Sequence, residues 1–213
     1  EGGHLETEDN QRSLVDATTR LHGGPQEAYH ILEGVGSGVE RVALDGVTIE
    51  GGYARGNDQD SQGGALHIDG LILELVDVVI QANRAVDKGG ALWMKDGQLI
   101  ESRVRWADNH SEGGGGAVFA KNSRAYPYFA EYVSNTAEGN GGALYLQESP
   151  EWSIQRAHFE NNQAMDGGAL YVDAGDDIKV CRTFFIRNIG QGGGGAMSVS
   201  RTRSGRVASS VFT

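Results

Sequence analysis

The residues best suited to chemistry in this chain are ordered by a repeat. Directly after each Gly-Gly-Ala-aliphatic unit stands one position that reads His67, Trp93, Phe119, Tyr145, Tyr171 and Ser198. Four consecutive aromatic side chains at one position, preceded by a histidine, offer a flat apolar strip to a sugar face or to another protein. The same rings can also stack on one another and seal a surface with no ligand involved. A second periodic position reads Asp77, Arg103, Phe129, Arg156 and Arg182. Guanidinium forks match planar anions, so Arg103, Arg156 and Arg182 are candidates for an anionic glycan, against the commoner outcome of a solvated ladder.

Metal and acid–base chemistry are less well provided for. The stretches Asn57-Asp58-Gln59-Asp60 and Asp173-Ala174-Gly175-Asp176-Asp177 each gather several oxygens in a short loop. That is the minimum for a weak extracellular Ca²⁺ site, built on Asp58 and Asp60 or on Asp173, Asp176 and Asp177. Neither has the spacing of an EF-hand loop or of a Gly-Gly-x-Gly-x-Asp calcium repeat, and solvated loop acid is the competing reading. No other cofactor is indicated. Glycoside hydrolysis needs two carboxyls within about 5–9.5 Å. One outward position reads Asp69, Lys95, Lys121, Gln147, Asp173 and Ser200. Its two aspartates lie four repeats apart, about 19 Å at the spacing of neighbouring strands. A lyase or hydrolase would therefore have to use loop carboxylates, Asp58, Asp60, Asp173 and Asp176, with nearby arginines. The six histidines show no metal-ligand spacing, and the glycine runs 113–116 and 192–195 lack the Gly-Lys-Ser/Thr of a phosphate loop.

The elements that must position these residues follow from the period. Gly-Gly-Ala begins at Gly63, Gly89, Gly115, Gly141, Gly167 and Gly194, at intervals of 26, 26, 26, 26 and 27 residues. A second marker keeps step: Ile80–Asn83, Trp106–Asn109, Tyr132–Asn135, Phe159–Asn162 and Phe185–Asn188. After each Gly-Gly-Ala, apolar residues alternate with period two, as in Leu66/Ile68, Leu92/Met94 and Leu144/Leu146, which predicts strands with one face inward. Val78 and Ile80, or Val104 and Trp106, supply a second inward set. Helical periodicity is absent. Thirty-three glycines against three prolines fit many tight corners between short strands, with glycine and asparagine both expected at left-handed corner positions. The fold expected is all-β: a right-handed, single-stranded parallel β-helix of about six or seven 26-residue coils. It spans residues 28–213 and continues at the C-terminal end, with residues 1–27 as an N-terminal cap or partial first coil. The loop Arg55–Gln62 is longer than its counterparts, and insertions on a solenoid commonly sit on its binding face.

Gly-Gly-Ala-[Ile/Leu/Val] alternating with Phe-x-x-Asn is similar to the repeats of chlamydial polymorphic outer-membrane proteins and related bacterial surface β-helix proteins. The segments Tyr29–Leu32 and Leu44–Ala54 resemble the first coil of those proteins. The resemblance covers roughly residues 28–213 and implies an extracellular, adhesin-like module of a surface or secreted protein; it implies no known catalytic site. Eighteen basic against 29 acidic residues, a net charge of −11, argue against nucleic acid as a partner. Cys181 is the only cysteine, so no intrachain disulfide exists, and no apolar run is long enough for a membrane span. The function expected is non-catalytic binding of a polysaccharide or surface protein along the aromatic row. A polysaccharide lyase or hydrolase is the alternative, and a passive spacer the third reading.

Overall fold

A computed structural model describes residues 19–23, 30–37 and 40–213. They form a parallel β-solenoid of about seven turns. Every strand pairing is parallel and links counterpart residues one turn apart, such as Leu92 with Leu66 and Val118. Among the described residues no helix is long and apolar enough to cross a membrane. The N-terminal cap expected over residues 1–27 lies outside the described residues except at Thr19–His22, a strand paired with Val47–Glu50.

Each turn crosses four faces. In the third turn Leu92–Lys95 lies in sheet 1, Gln98–Ser102 in sheet 2, Arg105–Ala107 in sheet 3 and His110–Ser111 in sheet 4. Among the described residues the four sheets contain seven, seven, eight and six strands in that order. One left-handed residue marks each corner: Gly89, Asp96, Arg103, Asp108 and then Gly115, where the circuit begins again. The first glycine of the Gly-Gly pair is needed for this conformation, and the second for space. A Cβ on Gly90 would lie 2.1 Å from the carbonyl oxygen of Gly116 and 2.4 Å from that of His110. The alanine that follows turns inward, and its carbonyl accepts two N–H groups from the preceding turn, as Ala117 does from Ala91 and Leu92.

The asparagines behave differently from the corner residues expected of them. The left-handed residue is the one just before each: Ala82, Asp108, Ser134, Asn161 and Arg187. The asparagine itself points into the core, and Asn109, Asn135 and Asn162 are fully buried. Each amide joins its counterpart one turn on, with Nδ2 of Asn83, Asn109, Asn135 and Asn162 donating to the next Oδ1 at 2.9–3.0 Å. The same Oδ1 accepts a backbone N–H, as Asn135 does from Asn109, and the same Nδ2 donates to a carbonyl, as Asn135 does to Trp106. The amides thus satisfy backbone groups where the corner interrupts the regular ladder.

The expected inward positions are buried, from Leu66, Leu92 and Leu144 on sheet 1 to Val78, Ile80, Val104 and Trp106 beside sheet 3, except in the last turn, where Met197 is half-buried and Val199 is exposed. Trp106, Tyr132, Phe159, Phe185 and Phe212 form a stack with neighbouring rings nearly parallel. A carboxylate also faces inward. Glu101 sits between Leu75 and Pro127 in sheet 2 and is 1 % exposed. Trp106 Nε1 donates to it at 2.6 Å and Tyr132 OH at 2.7 Å. Burial raises its pKa to about 7, against the lowering effect of those two donors.

Two predictions follow from this interior. Asn135→Ala leaves the Asn109 amide and the Trp106 carbonyl short of partners. At about 1–3 kcal/mol per orphaned buried group, it should destabilise by about 3 kcal/mol in urea unfolding; a change within error would mean that the amide chain adds nothing. Glu101 binds its proton more tightly folded than unfolded, so its contribution is full below about pH 4.5 and is lost as pH rises to about 7. The loss amounts to about 3 kcal/mol at about 1.4 kcal/mol per unit. Glu101→Gln should remove that part of the pH dependence, measured as the difference between wild-type and variant unfolding curves at pH 4.5 and 8.

Candidate functional site

The aromatic row lies on the outer face of sheet 1 and in register. Trp93 pairs with His67 and Phe119, and Tyr145 with Phe119 and Tyr171, while Ser198 pairs with Tyr171. Period-two alternation places them there: the residues on either side, such as Leu92 and Met94, are in the core. The rings meet in two groups along the solenoid axis. His67 lies flat on Trp93, with centroids 4.4 Å apart and planes 3° apart, and His30 covers its other side at 4.9 Å. Phe119, Tyr145 and Tyr171 continue edge-to-face at 5.1 Å.

The expectation that the whole row meets solvent is corrected at two positions. His67 and Phe119 are each only 2 % exposed. His67 is enclosed between the His30 and Trp93 rings. Phe119 is covered by the edge-on Tyr145 ring and by the Lys88 ammonium, 4.9 Å from its centroid. Gly114 gives the Tyr145 ring its seat, since a Cβ there would lie 2.4 Å from Cδ1. Trp93, Tyr145 and Tyr171 remain half-exposed and form the accessible part of the row. Beside them run Lys95, with its ammonium 3.8 Å from Asp69, and Lys121, 4.0 Å from Glu148.

The arginine position sits at the corner between sheets 2 and 3, and Asp77, Arg103, Phe129, Arg156 and Arg182 are all left-handed. Arg103 is not free to bind an anion, because Asp77 holds its Nε at 2.7 Å and its Nη2 at 2.8 Å. Arg156 and Arg182 are exposed, and neither is within salt-bridge distance of a carboxylate among the described residues.

The carboxylates proposed for calcium or for catalysis are dispersed. Asp58 and Asp60 lie in a single 3₁₀ turn, Asp58–Ser61, within the Arg55–Gln62 insertion. Asp173 is buried and accepts from Arg201 Nε at 2.9 Å. Asp177 is 2.6 Å from Lys179, and Asp176 is 3.9 Å from Arg203. Among the described residues no three His, Cys, Asp or Glu side chains converge as metal ligands do. Cys181 is half-buried on the outer side of sheet 2, paired with Gln155 and Ala208.

Two polar groups escaped the sequence reading. Glu101 is one, although Leu99 being inward already implied an inward residue two further on. The other is the state of His67, whose two ring nitrogens are buried without a hydrogen-bond partner among the described residues. Burial lowers its pKa, assisted by His30, while Glu33, Asp69 and Asp60 act in the opposite sense. A histidine held neutral in this way adds stability above its ordinary titration range and loses it as pH falls below about 6.5. His67→Phe should keep the stack on Trp93, remove the orphaned nitrogens and raise stability by about 1 kcal/mol. Unfolding compared at pH 5 and 8 checks this: equal acid sensitivity in the variant would contradict it.

No protein-family model, curated protein or solved structure matches this chain.

Proposed function

We propose that the solenoid is a non-catalytic binding module that holds an extended ligand, a glycan or a protein segment, along the outer face of sheet 1. The observation that carries this reading is the spacing of Trp93, Tyr145 and Tyr171, half-exposed rings on one flat parallel sheet. The accessible rings stand two turns and then one turn apart, with the covered Phe119 between Trp93 and Tyr145, and so favour a ligand long enough to span several turns. Lys88, Lys95 and Lys121 border the strip and supply polar contacts at its edges. The similarity of the Gly-Gly-Ala and aromatic-x-x-Asn markers to chlamydial polymorphic outer-membrane protein repeats supports a bacterial surface or secreted protein as the setting. Such a module serves adhesion.

Trp93→Ala/Tyr145→Ala/Tyr171→Ala is the informative variant, with Phe119 left in place because it is core-like. Screened against immobilised glycans and surface proteins, the wild-type chain should retain a ligand that the triple variant binds about tenfold or more weakly, as expected for three ring contacts of about 1 kcal/mol each. Its thermal unfolding should stay close to wild type. Equal retention by the two chains would remove the aromatic strip from the binding surface.

A further inference from the structure

Basic side chains on this solenoid are generally matched by acids one turn away. Arg41 meets Glu74, Arg84 meets Glu112, Arg105 meets Glu131 and Arg201 meets Asp173. Even where lysines stack, at Lys95 and Lys121, Asp69, Asp96 and Glu148 are at hand. Arg156 and Arg182 are among the described basic residues that lack such an acid, and they share one column. They occupy the same corner position on consecutive turns, Arg156 N donating to the Cys181 carbonyl beside Arg182. Their backbones are thus one strand spacing apart, with no carboxylate within ion-pair distance of either side chain among the described residues, in a chain of net charge −11. Like charges at neighbouring positions repel, and an anion held between them offsets that repulsion.

The turn before them supplies a different surface. Tyr128 and Phe129 are 42 % and 43 % exposed, their rings 4.6 Å apart and edge-to-face. Phe129 holds a left-handed backbone, φ 52°, which disfavours a bulky side chain, yet it presents its ring outward. The Arg156 guanidinium lies 5.9 Å from the Tyr128 centroid and 5.2 Å from that of Phe129, so the rings fix its position without using its N–H donors. Beyond the arginines the corner becomes small, with Ala208 and Ser209. Tyr128, Arg156, Arg182, Ala208 and Ser209, with Gln155 and Cys181, line a cleft of about 440 Å³ along the axis, and Phe129 stands beside it against the Arg156 guanidinium.

We propose that this corner binds an acidic saccharide. The Arg156 and Arg182 forks take its carboxylate or sulfate, and the Tyr128 and Phe129 rings take the apolar face of an adjoining sugar. Planar bidentate donors select an oxyanion, and exposed rings select a ligand that carries a flat C–H face beside that charge. The site lies around the corner from the sheet 1 strip and is independent of it. Since the chain as a whole repels polyanions, affinity must come from local contacts, and a short oligosaccharide should bind as well per site as the polymer.

Calorimetric titration of the full chain with a tetragalacturonate, its carboxyl-reduced neutral counterpart and a sulfated tetrasaccharide tests the assignment. At least one acidic probe should bind, the neutral one about tenfold or more weakly, and Arg156→Gln/Arg182→Gln should weaken the acidic probe by about tenfold or more. Phe129→Gly, which suits the left-handed corner, should weaken it while leaving the fold intact by circular dichroism. Trp93→Ala/Tyr145→Ala/Tyr171→Ala should leave it unchanged, which separates this site from the sheet 1 strip. Which acidic probe binds decides between carboxylate and sulfate. The proposal is overturned if neither acidic probe binds, if the neutral sugar binds equally, or if the arginine variant binds as wild type. Tighter binding of a phosphotyrosine peptide than of either acidic sugar would overturn it as well.

Discussion

Stacking in register places every side chain directly against its own counterpart one turn away, at a separation fixed by the backbone hydrogen bonds of parallel strands. A position in this solenoid is therefore a column, and a column tolerates only residues that suit their own kind or alternate with a complement. Aliphatic columns fill the interior. Planar rings make two more, the nearly parallel internal stack from Trp106 to Phe212 and the outer row from His67 to Tyr171. Amides are the polar group that suits self-stacking, because each carries a donor and an acceptor. The buried asparagine column uses that property to serve the backbone as well as itself. Charges suit it least, which is why most surface columns alternate, as Asp77–Arg103 and Arg105–Glu131 do.

The corners set how far the column rule can be relaxed. Four left-handed residues mark most turns and keep the connections short, the Arg55–Gln62 insertion excepted, and the Gly-Gly corner admits no side chain at Gly64, Gly90, Gly116, Gly142 or Gly168. The other three corners accept Asp, Arg, Phe, Ala, Ser or Glu with the same positive φ. Their conformation is imposed by the hydrogen bonds on either side, not by local preference, and each strained residue depends on the ladder to hold it. Side chains at those corners project away from the sheets. They are free to vary, and that variety is where columns of unlike residues, such as Phe129 beside Arg156, arise.

Period and direction were legible in the sequence because they rest on residues with no substitute. Gly90 and its counterparts have no room for a Cβ, and Leu92/Met94 must face a core made of the same residues in other turns. The number of faces was harder to read. The corners at Asp96 and Arg103 are made by residues with no turn signature, so strands 7 residues apart in corner spacing merge in a propensity reading. Asparagine was assigned to the corner on its tolerance of left-handed backbone, whereas its amide is worth more inside, where Asn109 meets unpaired backbone groups. The candidate strip was legible as a row. Its exposure was not, because Phe119 is covered by Lys88 and Tyr145, residues that other columns contribute. Nor could the sequence separate Arg103, neutralised by Asp77 in the previous turn, from Arg156 and Arg182.

Departures from the column rule then acquire a direction. Glu101 departs inward, and the interior answers it with Trp106 and Tyr132, the core aromatics that carry a polar tip. That exception is closed: donor and acceptor meet within the protein and nothing external is called for. His67 is closed in a different manner, its nitrogens shut between rings with no partner among the described residues, so its effect falls on stability. Arg156 and Arg182 depart outward: Arg156 rests on the Tyr128 and Phe129 rings, and no carboxylate among the described residues meets either one. An exception left open on the surface costs energy in the free protein and can be offset only from outside. The same reasoning ranks the acidic loops low as sites, because Asp173 and Asp177 already have Arg201 and Lys179. In a fold where self-stacking decides what each position tolerates, an unanswered charge is a more discriminating sign of a ligand than a row of rings, since rings also answer one another.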